Sequence, residues 1–121
     1  MRVLVVDDNA MNLELFRDVL ESDGHAVSVA RDGRSGLDRA LEDVFDLVIL
    51  DIQMPGLDGY ELCRTLRARG IDRPIIAVSS SAMAEQIARG KDAGFDAYLT
   101  KPIAPAALKD AVRRHGGGNG L

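Results

Sequence analysis

Five apolar runs of strand length recur along the chain, about one every 20–25 residues, at positions 3–6, 26–29, 47–50, 75–78 and 97–99. The stretches between them change to a helical period. Met11, Leu15, Phe16, Val19 and Leu20 mark an amphipathic helix that Asn9 can cap and Gly24 can stop. A second helix is predicted from Leu37, Ala40, Leu41 and Val44, and a third begins at Asp58 with Leu62, Cys63 and Leu66 on its inner face. A fourth starts near Ala82, and a fifth follows Pro105 to about His115. Strand then helix, repeated five times, constrains the fold severely. Strands joined by helical crossovers run parallel, and right-handed crossovers put helices on both faces of the sheet.

The fold class expected is therefore α/β, a doubly wound five-stranded parallel sheet. Central strands of such a sheet are covered on both sides and read as unbroken apolar runs, whereas edge strands can alternate. The first, third and fourth runs are solid; the second alternates and the fifth is short and mixed, so the second and fifth belong at the edges. Residues 1–115 form one domain in this reading, and 116–121, mostly glycine, form a flexible tail. The 121 residues supply enough chain for a single core.

Composition removes several functions. Fifteen basic and 19 acidic side chains leave a formal charge of −4, so no global positive field gathers nucleic acid or an anionic membrane. One cysteine makes no internal disulfide, and with two histidines it builds no structural zinc site. Aromatic residues are 4% of the chain with no tryptophan, which leaves little for stacking bases or sugars. No apolar run approaches the ~18–20 residues of a membrane span, and the first residues do not read as a secretory signal. A cytoplasmic protein is expected, with chemistry carried by charge.

In open parallel sheets the functional crevice lies beyond the carboxyl ends of the strands. Asp7 and Asp8 follow the first strand, Asp51 the third, Ser79, Ser80 and Ser81 the fourth, and Thr100, Lys101 and Pro102 the fifth. All land on one rim. Three carboxylates drawn together repel one another, and a cation is the simplest compensation; all-oxygen ligation suits Mg²⁺. Lys101 adds a fixed positive charge. Two positive centres beside a carboxylate suit a phosphoryl group. Spacing alone does not say which aspartate attacks. Asp58 reads as a helix cap, Cys63 as core, His25 as a turn residue, and His115 as a favourable charge at a helix C-terminus.

Asp7-Asp8, then Asp51 followed by Met54-Pro55-Gly56-Leu57-Asp58-Gly59, then Ser79 ending a strand, then Lys101-Pro102, together resemble the receiver domain of bacterial two-component response regulators. The resemblance spans residues 2 to about 115. It implies a flavodoxin-like strand order of 2-1-3-4-5, an order for which a member of this family is a standard example. It implies that Asp51 accepts a phosphoryl group from the phosphohistidine of a histidine kinase or histidine phosphotransfer protein. Asp8, Asp51 and the backbone carbonyl of Gln53 would hold Mg²⁺, or Mn²⁺ in its place, with Asp7 acting through water. Lys101 and Ser79 would contact the phosphoryl oxygens, the Lys101-Pro102 bond would be cis, and Ser79 with Tyr98 would form the switch. The output would be protein contact at the face of helix 4, strand 5 and helix 5, by a monomer or a phosphorylation-dependent dimer, without direct contact to nucleic acid or membrane.

Ser79 stands where threonine is more usual, and Leu57 where methionine is common. Gln53 and Ser81 occupy positions that influence hydrolysis of the phosphate in such domains. The run Asp8-Asn9-Ala10-Met11-Asn12 further resembles phosphorelay receivers, including those of hybrid kinases. On a helical wheel Asn12 falls toward the apolar arc and Leu13 on its flank, so Leu13, Ile103 and Pro105 are expected to form the docking surface for a phosphohistidine helix bundle. A metal-dependent phosphatase on a similar sheet is the rival reading, but would call for a second aspartate two residues after the nucleophile, where Gln53 stands. The expected role is regulatory phosphoacceptor, assisting only its own phosphorylation and dephosphorylation.

Overall fold

The structure, a computed structural model, describes residues 1–81 and 83–117. Its elements alternate as the apolar runs require: β1 (Arg2–Val6), α1 (Ala10–Ser22), β2 (Ala26–Ala30), α2 (Gly33–Glu42), β3 (Leu47–Asp51), α3 (Gly59–Ala68), β4 (Ile75–Ser79), α4 (Ala84–Ala93), β5 (Ala97–Thr100) and α5 (Pro105–Val112). All strand pairs are parallel, in the order β2-β1-β3-β4-β5. The edges are β2 and β5, the alternating run and the short, mixed one. Every residue of β3 and β4 is buried, whereas β2 and β5 are mostly half-buried.

Because successive strand residues face opposite ways, each central strand feeds two cores. Val3, Val5, Leu47, Ile49, Ile76 and Val78 pack toward α1 and α5. Leu4, Val6, Val48, Leu50, Ile75 and Ala77 pack toward α2, α3 and α4, where Cys63 is fully buried. The expected caps are present. The Asn9 side chain accepts the Met11 and Asn12 N–H groups, Asp58 accepts that of Glu61, and Gly24 leaves α1 with φ of 89°.

Several expectations need correction. The buried face of α1 is Leu13, Phe16, Val19 and Leu20, while Met11 is 80% and Leu15 49% exposed. Leu13, expected as a surface docking residue, lies in the core at 5% exposure. On α2 the expected Ala40 is buried and Leu37 packs against the core, joined there by Gly33 and Gly36, whereas Leu41 and Val44 are exposed. Helix α4, expected to start near Ala82, begins at Ala84 with Met83 as its N-cap. Beyond α5 the chain continues as a π-helical turn, Arg113–Gly117, which takes in His115; residues 118–121 of the expected tail lie outside the described residues. No helix among the described residues is long and apolar enough to cross a membrane.

Candidate functional site

Parallel pairing brings the acids together before any side chain is considered. Val6 is level with Leu50 in the register, so the next residues, Asp7 and Asp51, emerge side by side, and Asp51 is itself level with Val78, which precedes Ser79. Ser79 is in turn level with Thr100, which precedes Lys101. Carboxylate oxygens of Asp7, Asp8 and Asp51 all lie within 4.8 Å of one another. Lys101 reaches over them, its Nζ 3.4 Å from Asp7 Oδ2 and 3.4 Å from Asp51 Oδ2. The Lys101-Pro102 peptide is cis.

Asp7 and Asp51 are buried, at 0% and 4% exposure, while Asp8 is exposed. Burial is the main reason that the Asp51 carboxyl is pushed up to about 6, and the neighbouring charge of Asp7 pushes the same way. Lys101 and the Gln53 N–H, which donates to Asp51 Oδ1 at 3.2 Å, pull against them. The result is a carboxylate short of compensating positive charge. A cluster of three carboxylates, two of them buried, fits an oxygen-preferring divalent cation, and Mg²⁺ commonly uses one or two carboxylates while keeping several waters.

Substituting Lys101 by Met is expected to raise the Asp51 pKa above about 6, because the substitution removes the nearest cation from a buried pair of acids. Carboxyl carbon NMR against pH reads this directly, and an Asp51 titration that does not move would contradict the assigned coupling.

Ser79 is buried and its Oγ accepts the Ser81 N–H at 3.2 Å. The Tyr98 hydroxyl donates to the Ser81 carbonyl at 3.0 Å, so the loop that leaves Ser79 is bonded to the half-buried ring of Tyr98. Two polar contacts were not anticipated from sequence. Asn12 Nδ2 reaches Asp7 Oδ2 at 3.4 Å, and Ser80 Oγ donates to Gln53 Oε1 at 2.9 Å. For Asn12 the signal was present, a polar residue on the apolar arc of its helix. The Ser80 contact joins two loops and has no local signature.

Beside Lys101 runs a groove of about 420 Å³ lined by Asn12, Leu15, Phe16, Ser80, Pro102 and Ile103. Of the residues expected at a docking surface, Ile103 lines this groove, Leu13 does not, and Pro105 is exposed at the first position of α5, outside the lining.

The sequence profile of the response regulator receiver domain matches residues 3–113. The response regulator MprA of Mycolicibacterium vanbaalenii is 44% identical over 113 residues, 93% of this chain and 49% of that protein. The sensor histidine kinase RcsC of Salmonella typhi is 37% identical over 112 residues, 93% of this chain and 12% of that protein. The chain therefore spans about half the length of the MprA relatives it matches. Among solved structures, the receiver domain of the sensor histidine kinase PA1611 from Pseudomonas aeruginosa, with a magnesium ion coordinated in its active-site cleft, superposes with a TM-score of 0.88 at 32% identity, covering 96% of this chain and 97% of that one.

Proposed function

The chain belongs to the response regulator receiver domain family, and from that premise we propose that Asp51 accepts a phosphoryl group from the phosphohistidine of a histidine kinase or histidine phosphotransfer protein. The observation that carries this reading is the convergence of Asp7, Asp8, Asp51 and Lys101 at the ends of three strands. An Asp51 carboxylate oxygen attacks phosphorus in line, an O–P bond forms, the P–N bond to the donor imidazole breaks, and the imidazole leaves with a proton. Lys101 binds the phosphoryl oxygens and Ser79 donates its hydroxyl to them. Asp8, Asp51 and the Gln53 carbonyl would hold Mg²⁺ or Mn²⁺, with Asp7 acting through water. The ion supplies positive charge against the phosphoryl oxygens.

Movement of Ser79 toward the phosphate passes to Tyr98 through the Ser81 carbonyl, and the face of α4, β5 and α5 changes population for a protein partner or a second copy. The histidine donor docks in the groove of Leu15 and Ile103 beside Lys101. Cytoplasmic action and a regulatory, non-enzymatic role accompany this reading. Similarity to RcsC and to the PA1611 receiver favours a second form of it, in which the domain serves a hybrid kinase. Gln53, two residues after Asp51, speaks against a phosphatase because it supplies no acid or base there.

Incubation with Mg²⁺ and acetyl phosphate tests the reaction by intact mass. The wild-type protein is expected to gain one phosphoryl group and Asp51→Asn none. Equal labelling of the two would move the acceptor elsewhere.

A further inference from the structure

The segment between Asp51 and α3 is gripped from two sides by backbone that has no room for a side chain. A Cβ built on Gly59, the first residue of α3, would stand 2.5 Å from the Asp51 carbonyl oxygen and 2.8 Å from Ile52 Cα. The Gly59 N–H donates to the Ile52 carbonyl at 3.1 Å, closing the loop on itself. A Cβ on Gly33, the first residue of α2, would fall on the Leu57 carbonyl oxygen and stand 2.9 Å from Leu57 Cβ. Neither glycine has positive φ, so neither is needed for its backbone conformation. What each provides is space. The atoms they press on include main chain, which cannot swing aside as the end of a long side chain does.

The Gly59 contact falls on the Asp51 and Ile52 main chain itself, and Gln53, whose N–H bonds the Asp51 carboxylate, lies in sequence between that contact and Leu57. We propose that Gly59 and Gly33 are positioning residues, holding Asp51 and the Gln53 peptide at the spacing that a small octahedral cation demands. The inference rests on the cation site of the proposed function. A methyl at position 59 has to lift the strand end from the helix, and Mg²⁺, which tolerates little departure from its octahedron, registers displacements of a few tenths of an ångström. At position 33 the same methyl displaces Leu57, farther along the same loop.

Gly56 supplies the control, because it lies in the same loop with φ of +78° and nothing within 4 Å of a built Cβ. Gly56→Ala strains the backbone but intrudes on nothing. Amide NMR titration with Mg²⁺, following Asp8, Asp51 and Gln53, is made on the wild type, Gly59→Ala, Gly33→Ala and Gly56→Ala, with thermal unfolding in parallel. Mg²⁺ affinity is expected to fall about tenfold or more in Gly59→Ala and Gly33→Ala. Gly56→Ala should lose thermal stability and keep its Mg²⁺ affinity within about twofold of the wild type. Folded Gly59→Ala or Gly33→Ala protein that binds Mg²⁺ like the wild type overturns the proposal, as does an equal loss in Gly56→Ala. A variant unfolded in buffer is titrated in trimethylamine N-oxide; failure of both to fold even there would make the contacts structural and also overturn it. Wild-type protein that binds Mg²⁺ yet takes no phosphoryl group from acetyl phosphate would defeat the proposed reaction and leave the positioning role standing.

Discussion

Asp51→Asn is expected to stabilise the magnesium-free protein at pH 7.5 by about 2–3 kcal/mol and to leave it nearly unchanged at pH 4. The folded-state pKa of Asp51 is raised, from 3.8 to about 6. Between those values the folded protein holds a proton that the unfolded chain has released, so stability falls as pH rises through the window. Above pH 6 the folded state carries the full cost of an ionised, buried carboxylate beside Asp7, and below pH 4 both states are protonated and the cost vanishes. A carboxyl raised from 3.8 to about 6 loses about 1.4 kcal/mol for each tenfold change in its proton affinity, which gives the size expected. Asparagine keeps the shape and can still accept the Gln53 N–H, but has no charge to bury. Asp32 and Asp43, whose hydrogen bonds lower their pKa values, lose their contribution at more acid pH than this window, and being common to both proteins they cancel in the comparison. Thermal unfolding in a chelator should show the variant melting about 5–10 °C above the wild type at pH 7.5. Added Mg²⁺ should narrow the gap, since only the wild type has the full acid cluster to bind it. A gap of equal size at pH 4 and pH 7.5 would mean that repacking, not charge, separates the two proteins.

The same acids explain why the rim of the sheet was readable before the structure. Asp7, Asp51, Ser79 and Lys101 each follow an apolar run, and parallel topology sends the ends of all such runs to one side. The strand order itself came from the family resemblance, while the two edges came from the alternation around Val27 and the short, mixed run around Tyr98. Helix faces were less legible. Met11 and Leu15 were assigned to the buried face of α1 and Leu13 to its flank, whereas the structure turns that face by roughly 60° at 100° per residue. The apolar arc of α1 is wider than the core can cover, so its orientation is decided by packing against Val3, Val5 and α5, which no local pattern encodes. On α2 the sequence located Leu37 and Ala40, which do pack on the core, but missed the rest of the face for the opposite reason. It approaches Val6 and Leu57 through Gly36 and Gly33, and a search for large apolar residues passes over glycines whose use is the absence of a side chain.

The corrected orientation of α1 reverses what a charge at position 13 should do. Leu13→Asp is expected to unfold the domain or nearly so, with a loss of about 5 kcal/mol or more. Removing a buried leucine side chain costs about 2–5 kcal/mol, and an unpaired carboxylate in its place adds to that or must take up a proton. Leu13 is 5% exposed among Val3, Val5 and Phe16, so the charge has nowhere to go. A domain of this size commonly has 5–15 kcal/mol in all. Leu15→Asp, two residues along, should change stability by no more than about 0.5 kcal/mol because its side chain is half in solvent at the mouth of the groove. Its effect falls on docking. Phosphotransfer from a phosphorylated histidine phosphotransfer domain that loads the wild type should slow about tenfold or more, the loss of one buried apolar contact and the introduction of a charge into an apolar groove. Labelling by acetyl phosphate should be unaffected, since a donor of a few atoms reaches Asp51 without occupying the groove. The two donors therefore separate docking from chemistry in one variant. A Leu13→Asp protein that melts like the wild type would refute the placement of α1, and a Leu15→Asp protein loaded by both donors at wild-type rates would remove the groove from the docking surface.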